Sequence, residues 1–82
     1  MNLEDRYYYI CNRLIAVKQE FEEFLPMLYA YKNSENQSYA KRDRLETERF
    51  RYDTTIYSMT ESAKYYENEM TRLGIQFRRI FY

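Results

Sequence analysis

Glu22 and Glu23, and Glu46 with Glu48, set carboxylates close together along the chain, where they could do acid–base work or hold a divalent metal. Di-metal helical bundles point such carboxylates into the core and add a Glu-x-x-His partner. This chain has no histidine, and Glu22 and Glu23 fall off its apolar positions, so the acidic pairs read as solvated helix faces. Cys11 is the single cysteine. It cannot close an intramolecular disulfide, and without histidine neither an ordinary zinc site nor a histidine-activated nucleophile can be assembled. A small buried thiol is the plain expectation for it. No catalytic residue, cofactor, metal site or small-molecule substrate is expected, and the chain reads as a non-enzyme.

Cations offer a different chemistry. Lys41, Arg42, Arg44, Arg49 and Arg51 stand among Tyr39, Phe50 and Tyr52, a mixture that could track a nucleic-acid strand by stacking and phosphate contact. Asp43, Glu46, Glu48 and Asp53 interleave with them, several at three or four residues, which favours a salt-bridged helix surface. Arg72, Arg78 and Arg79 make a cleaner basic patch, and they are the contacts to expect if nucleic acid is a partner. Thirteen basic residues balance thirteen acidic ones, which argues against a general polyanion binder.

A pair of helices must position all of these groups. In 82 residues there is room for one small domain, near the size at which a single core stands without staples. One glycine and one proline leave almost nothing for the turns of a sheet. Apolar residues recur at Leu3, Tyr7, Ile10, Leu14, Val17, Phe21, Phe24, Leu28 and Tyr31, alternating four and three. That alternation lays one seam on a partner helix. Asn2 can cap this first helix, and Glu4 and Asp5 suit its positive end. The seam keeps its phase across Pro26, which predicts one bent helix over residues 3–32 rather than two.

A turn follows at about residues 33–36, and the capping-box spacing of Ser34 and Gln37 predicts a second helix from about 35 to 73. Its heptad positions are Leu45, Tyr52, Ile56, Met59, Ala63, Tyr66, Met70, Leu73, Phe77 and Ile80, interrupted at Arg49. So short a connection makes the helices antiparallel neighbours. Layers whose residue numbers sum to about 69 or 70 then match, among them Tyr31 with Ser38, Phe24 with Leu45, Phe21 with Arg49, Val17 with Tyr52 and Tyr7 with Ala63.

Two surfaces are left over. Helix one runs out opposite Tyr66, so about sixteen C-terminal residues lack an internal mate and would overhang by roughly 24 Å as a continued helix. The alternative is a left-handed cap at Gly74 that folds Ile75 back on Met70 and frees a tail over residues 74–82. Met70, Leu73, Ile75, Phe77, Ile80, Phe81 and Tyr82 make this end too apolar to hang in water, and mark it as a partner-binding tail. Beside the seam, Tyr8, Cys11, Ile15, Leu25, Tyr29, Phe50 and Tyr57 form an apolar flank. Two helices give a core one layer thick, so this flank needs cover.

The sequence therefore predicts a single all-α domain over residues 1–82, an antiparallel, coiled-coil-like two-helix hairpin completed as a four-helix bundle by dimerisation. Its function reads as protein–protein interaction: a self-associating adaptor, chaperone or inhibitor that binds itself and an unidentified protein, with nucleic-acid binding the alternative. Hairpins of this size serve as secretion chaperones, assembly factors and phage-encoded inhibitors, which is an analogy of shape alone. The N-terminus has no long apolar stretch, so no signal peptide is expected, and the richest apolar run, about eight residues, is far too short for a membrane span. A lone cysteine suits a reducing compartment, so the cytoplasm is the expected location.

Overall fold

A computed structural model describes residues 2–35 and 37–79. It contains two helices, α1 (Leu3–Lys32) and α2 (Tyr39–Arg72), packed side by side into a rod 57 Å long and 18 by 16 Å across. Among the described residues there is no strand, and no helix is long and apolar enough to cross a membrane.

Each helix end has a visible chemical cause. The Asn2 Oδ1 accepts from the Asp5 backbone N–H at 2.8 Å, with Glu4 and Asp5 in the first turn, which satisfies one orphan donor and complements the dipole. α1 passes through Pro26 without a break. Proline takes the amide donor away from the Glu22 carbonyl, and both residues lie on the exposed side of α1.

The second helix starts later than the sequence spacing suggests. Its N-cap is Ser38, whose Oγ accepts from Lys41 N at 3.4 Å, and Ser34 stands in the connection instead. A capping box needs the Gln37 side chain to accept from a backbone N–H. Here its amide donates instead, to the carbonyls of Ser34 (3.0 Å) and Lys32. Gln37 therefore closes α1 rather than opening α2. The Tyr31 hydroxyl bridges the connection, donating to the Ser38 carbonyl at 3.1 Å and accepting from the Ser38 amide. Lys32 pairs with Glu46 across the helices, and this cation holds the Glu46 carboxyl below the usual carboxylate range.

The core is a line of two clusters. Near the connection, Phe24, Leu28 and Leu45 are buried, with Phe21, Leu25, Tyr31 and Tyr52 packed around them. At the far end Tyr7, Cys11, Ala63 and Met70 are buried, with Leu3, Tyr8, Ile10, Tyr66, Ile75 and Phe77 against them. Leu14 and Val17 lie buried between the two clusters in chain order. The Tyr52 ring, expected opposite Val17, stacks on Phe21 at 5.3 Å and tilts against Phe24 at 5.4 Å. Side chains on a helix lean toward its N-terminus. In an antiparallel pair the two sets lean past one another, so tips meet at higher number sums than the Cα atoms do.

The same lean shortens the unmatched end, and of the two courses the sequence leaves open, an overhang or a fold-back at Gly74, the chain takes the second. Glu67 and Met70 are buried, with Met70 in the same cluster as Tyr7, and α2 ends two residues beyond Met70. Gly74 follows at φ +74. Its N–H donates to the Thr71 carbonyl at 3.2 Å, and that of Ile75 donates to the Met70 carbonyl at 2.8 Å. These two bonds are the Schellman arrangement, with Ile75 packed against the cluster that contains Met70. The chain then turns back along the hairpin instead of continuing past it.

Candidate interaction surfaces

The tail is laid on the open end of the hairpin by three contacts. Phe77 meets Tyr7 edge to face at 5.3 Å between ring centroids. The Arg78 backbone N–H donates to the Tyr8 hydroxyl at 3.0 Å. Arg79 Nη2 lies 3.1 Å from Glu67 Oε1. These contacts decide where the expected tail residues go: Met70 is fully buried, Ile75 and Phe77 are half-buried in their own hairpin, and Leu73 is exposed. Ile80, Phe81 and Tyr82 lie outside the described residues.

Under the tail sits a buried polar group. Glu67 is only 5% exposed, and its Oε2 accepts from the Tyr7 hydroxyl at 2.8 Å while Oε1 faces Arg79. Burial, reinforced by the Glu67 hydrogen bond, drives the Tyr7 hydroxyl far above its ordinary range. Burial also pushes the Cys11 thiol up, against a lowering by the Tyr7 hydrogen bond. Both groups are therefore held neutral and covered, the opposite of an activated nucleophile. Among the described residues no group of three or more His, Cys, Asp or Glu side chains could hold a metal ion.

Glu67 was not singled out by sequence reasoning, although a signal existed. Ala63, Glu67 and Met70 keep the four–three spacing of the seam, so a carboxylate there had to lie at the helix interface or beside it.

The apolar flank divides. Cys11 belongs to the core, Tyr8 is half-buried with its hydroxyl engaged by the tail, and Leu25 is half-buried against the cluster near the connection. Ile15 (41%), Tyr29 (47%), Phe50 (70%) and Tyr57 (70%) remain open to solvent. Ile15 and Tyr29 are two heptads apart on α1, and Phe50 and Tyr57 one heptad apart on α2, so each pair shares a face of its helix. A shallow groove beside them is lined by Phe50, Arg51, Thr54 and Thr55. Tyr9, Met27 and Tyr65, which carried no special mark in the sequence, are exposed as well.

Of the basic patch, Arg72 pairs with Glu69 at 2.7 Å and Arg79 with Glu67. Along α2, Arg51 pairs with Glu48 at 3.8 Å, and Lys41 lies over the Tyr31 ring at 4.9 Å. These cations already have partners that a phosphate backbone would have to displace.

Compared with protein-family models, curated proteins and solved structures, the chain matches none.

Proposed function

We propose that this chain is a non-enzymatic protein–protein interaction module of the cytoplasm, a helical hairpin that associates with itself through the flank of Ile15, Tyr29, Phe50 and Tyr57. One observation carries the reading. Phe50 and Tyr57 stay 70% exposed on a rod whose core is a single line of side chains. Aromatic rings are the commonest anchors of binding energy at interfaces. Two such hairpins placed flank to flank would make a four-helix bundle with a second layer of core. As an adaptor, chaperone or inhibitor, the dimer would hold a partner protein by the surfaces it leaves open. The ion pairs of Arg72 and Arg79 weigh against the nucleic-acid alternative.

Sedimentation across a concentration range tests this reading. The expected result is a dimer at micromolar concentration that Ile15→Asp with Phe50→Asp converts to monomer. A wild-type chain that is a fully folded monomer throughout that range would end it.

A further inference from the structure

At the end of the hairpin built from Tyr7, Tyr8, Cys11, Glu67 and Met70, the tail adds Ile75, Phe77 and Arg79 to the packing. Glu67 is the informative residue. A buried carboxylate carries a heavy desolvation cost, and apolar residues of similar volume usually serve a core at least as well. Here that carboxylate is matched by Arg79, whose own side chain is 60% exposed and stands on a segment with no regular secondary structure. A fixed buried anion is thus neutralised by a cation on an irregular arm. The arm begins at Gly74, whose φ of +74 sets the reversal of the chain after α2. A segment short of regular hydrogen bonds opens at a lower free energy than the helices it lies on.

We infer that this end of the hairpin is a binding groove for an extended segment of another protein, which the chain's own tail occupies in cis. The occupant carries an aromatic residue and, two positions later, an arginine, the spacing of Phe77 and Arg79. The ring seats on Tyr7, a backbone N–H of the segment reaches the Tyr8 hydroxyl, and the guanidinium meets the Glu67 carboxylate. Charge complementarity sets the sign: the groove holds one buried anion, whose neighbours Tyr7 and Cys11 are kept uncharged by burial. Competition with the cis tail lowers the apparent affinity by the fraction of time the groove is open. The inference rests on the reading of the chain as an interaction module, but it uses a different surface from the exposed flank.

A capped, fluorescent peptide of residues 74–79, Gly-Ile-Gln-Phe-Arg-Arg, is the probe, titrated into the full-length chain. A variant with Phe77→Ala and Arg79→Ala, its helicity checked by circular dichroism, should bind the peptide about tenfold or more tightly than wild type, because the competing arm is gone. Adding Glu67→Gln to that variant should cost the gain, roughly tenfold or more, since the charge pair is lost. A control peptide with Phe and the second Arg exchanged should bind no better to the variant than to wild type.

Equal binding by wild type and variant, indifference to Glu67→Gln, or equal affinity for the control peptide would overturn the inference. Should the double variant lose helicity, Arg79→Ala alone carries the test, because its side chain is exposed, and no tightening there overturns it as well. If the peptide dissociates a wild-type dimer, the groove takes a second copy's tail and the assignment to a foreign chain fails. Sedimentation of the wild type reports on the flank independently, so failure of one surface is distinguishable from failure of the other.

Discussion

The Tyr7 hydroxyl donates to Glu67 at 2.8 Å across 60 residues of sequence, joining the second turn of α1 to the penultimate turn of α2. Both partners are buried. Tyr7→Phe keeps the ring and removes only the donor, leaving the Glu67 carboxylate with less compensation for its desolvation. The expected cost is about 1–3 kcal/mol, read from urea unfolding followed by circular dichroism. A cost indistinguishable from zero would mean that Arg79 and water already satisfy the carboxylate.

The same buried groups give the fold a limit on the alkaline side. Cys11 and Tyr7 have their pKa values raised by folding, from ordinary values of 9.0 and 10.0. The folded chain therefore holds protons that the unfolded chain releases, and stability falls as pH rises past those ordinary values. Stability should be flat with respect to these two groups at neutral pH, decline from about pH 9, and decline more steeply above about pH 10. Urea midpoints measured from pH 7 to 11 check this. Tyr7→Phe should remove the steeper part and Cys11→Ala the earlier one.

Gly74 isolates a backbone term. Its φ of +74 is strained for any residue with a Cβ, yet an added Cβ would touch nothing within 4 Å. Gly74→Ala should therefore cost about 1–2 kcal/mol through the backbone alone. Thermal unfolding would read that as roughly 4–8 °C per kcal/mol for a domain of this size. Asn tolerates the left-handed region better, so Gly74→Asn should cost less. Equal penalties for the two would point to lost space rather than to backbone strain.

The parts of this architecture that depend on near neighbours were legible in the sequence. Asn2 ahead of Glu4 and Asp5 and the unbroken phase across Pro26 act within about one turn of helix, whereas Gly74 left an overhang and a fold-back both open. The antiparallel pairing was legible too, because Phe24 with Leu45 and Tyr7 with Ala63 follow from spacing alone. What the spacing hid is the lean of side chains toward each N-terminus. Tyr7 therefore reaches Glu67 and the Met70 cluster, which a layer count had left beyond the end of α1, and Tyr52 reaches Phe21. The start of α2 was misplaced for a chemical reason: an amide such as Gln37 can donate as readily as accept, and residue spacing does not say which. Cys11 proves to belong to the core and Tyr8 to carry the tail, so neither is outer flank.

Ser38 rather than Ser34 is the cap, and substitution separates them. Ser38→Ala removes the acceptor of the Lys41 N–H and should cost about 0.5–2 kcal/mol, the usual value of an N-cap. Ser34→Ala should cost less than half as much, since Ser34 stands outside both helices. Reversal of that order in urea unfolding would restore Ser34 as the start of the helix.

Cys11 offers a direct report on the tail. It is fully buried in the cluster where Phe77 also packs, and a thiol must be exposed and deprotonated to react with an alkylating reagent. Arg79→Ala removes the charge partner of Glu67 and so one anchor of the tail, and Cys11 should be alkylated faster by roughly the factor by which opening becomes more frequent. Phe77→Ala should accelerate it further, because the ring on Tyr7 is lost as well. Tyr9→Ala alters an exposed residue of the same helix and should leave the rate unchanged. The order in rate, Phe77→Ala above Arg79→Ala above wild type, is what a protective tail requires. If Phe77→Ala and Arg79→Ala react no faster than wild type, the tail does not guard Cys11.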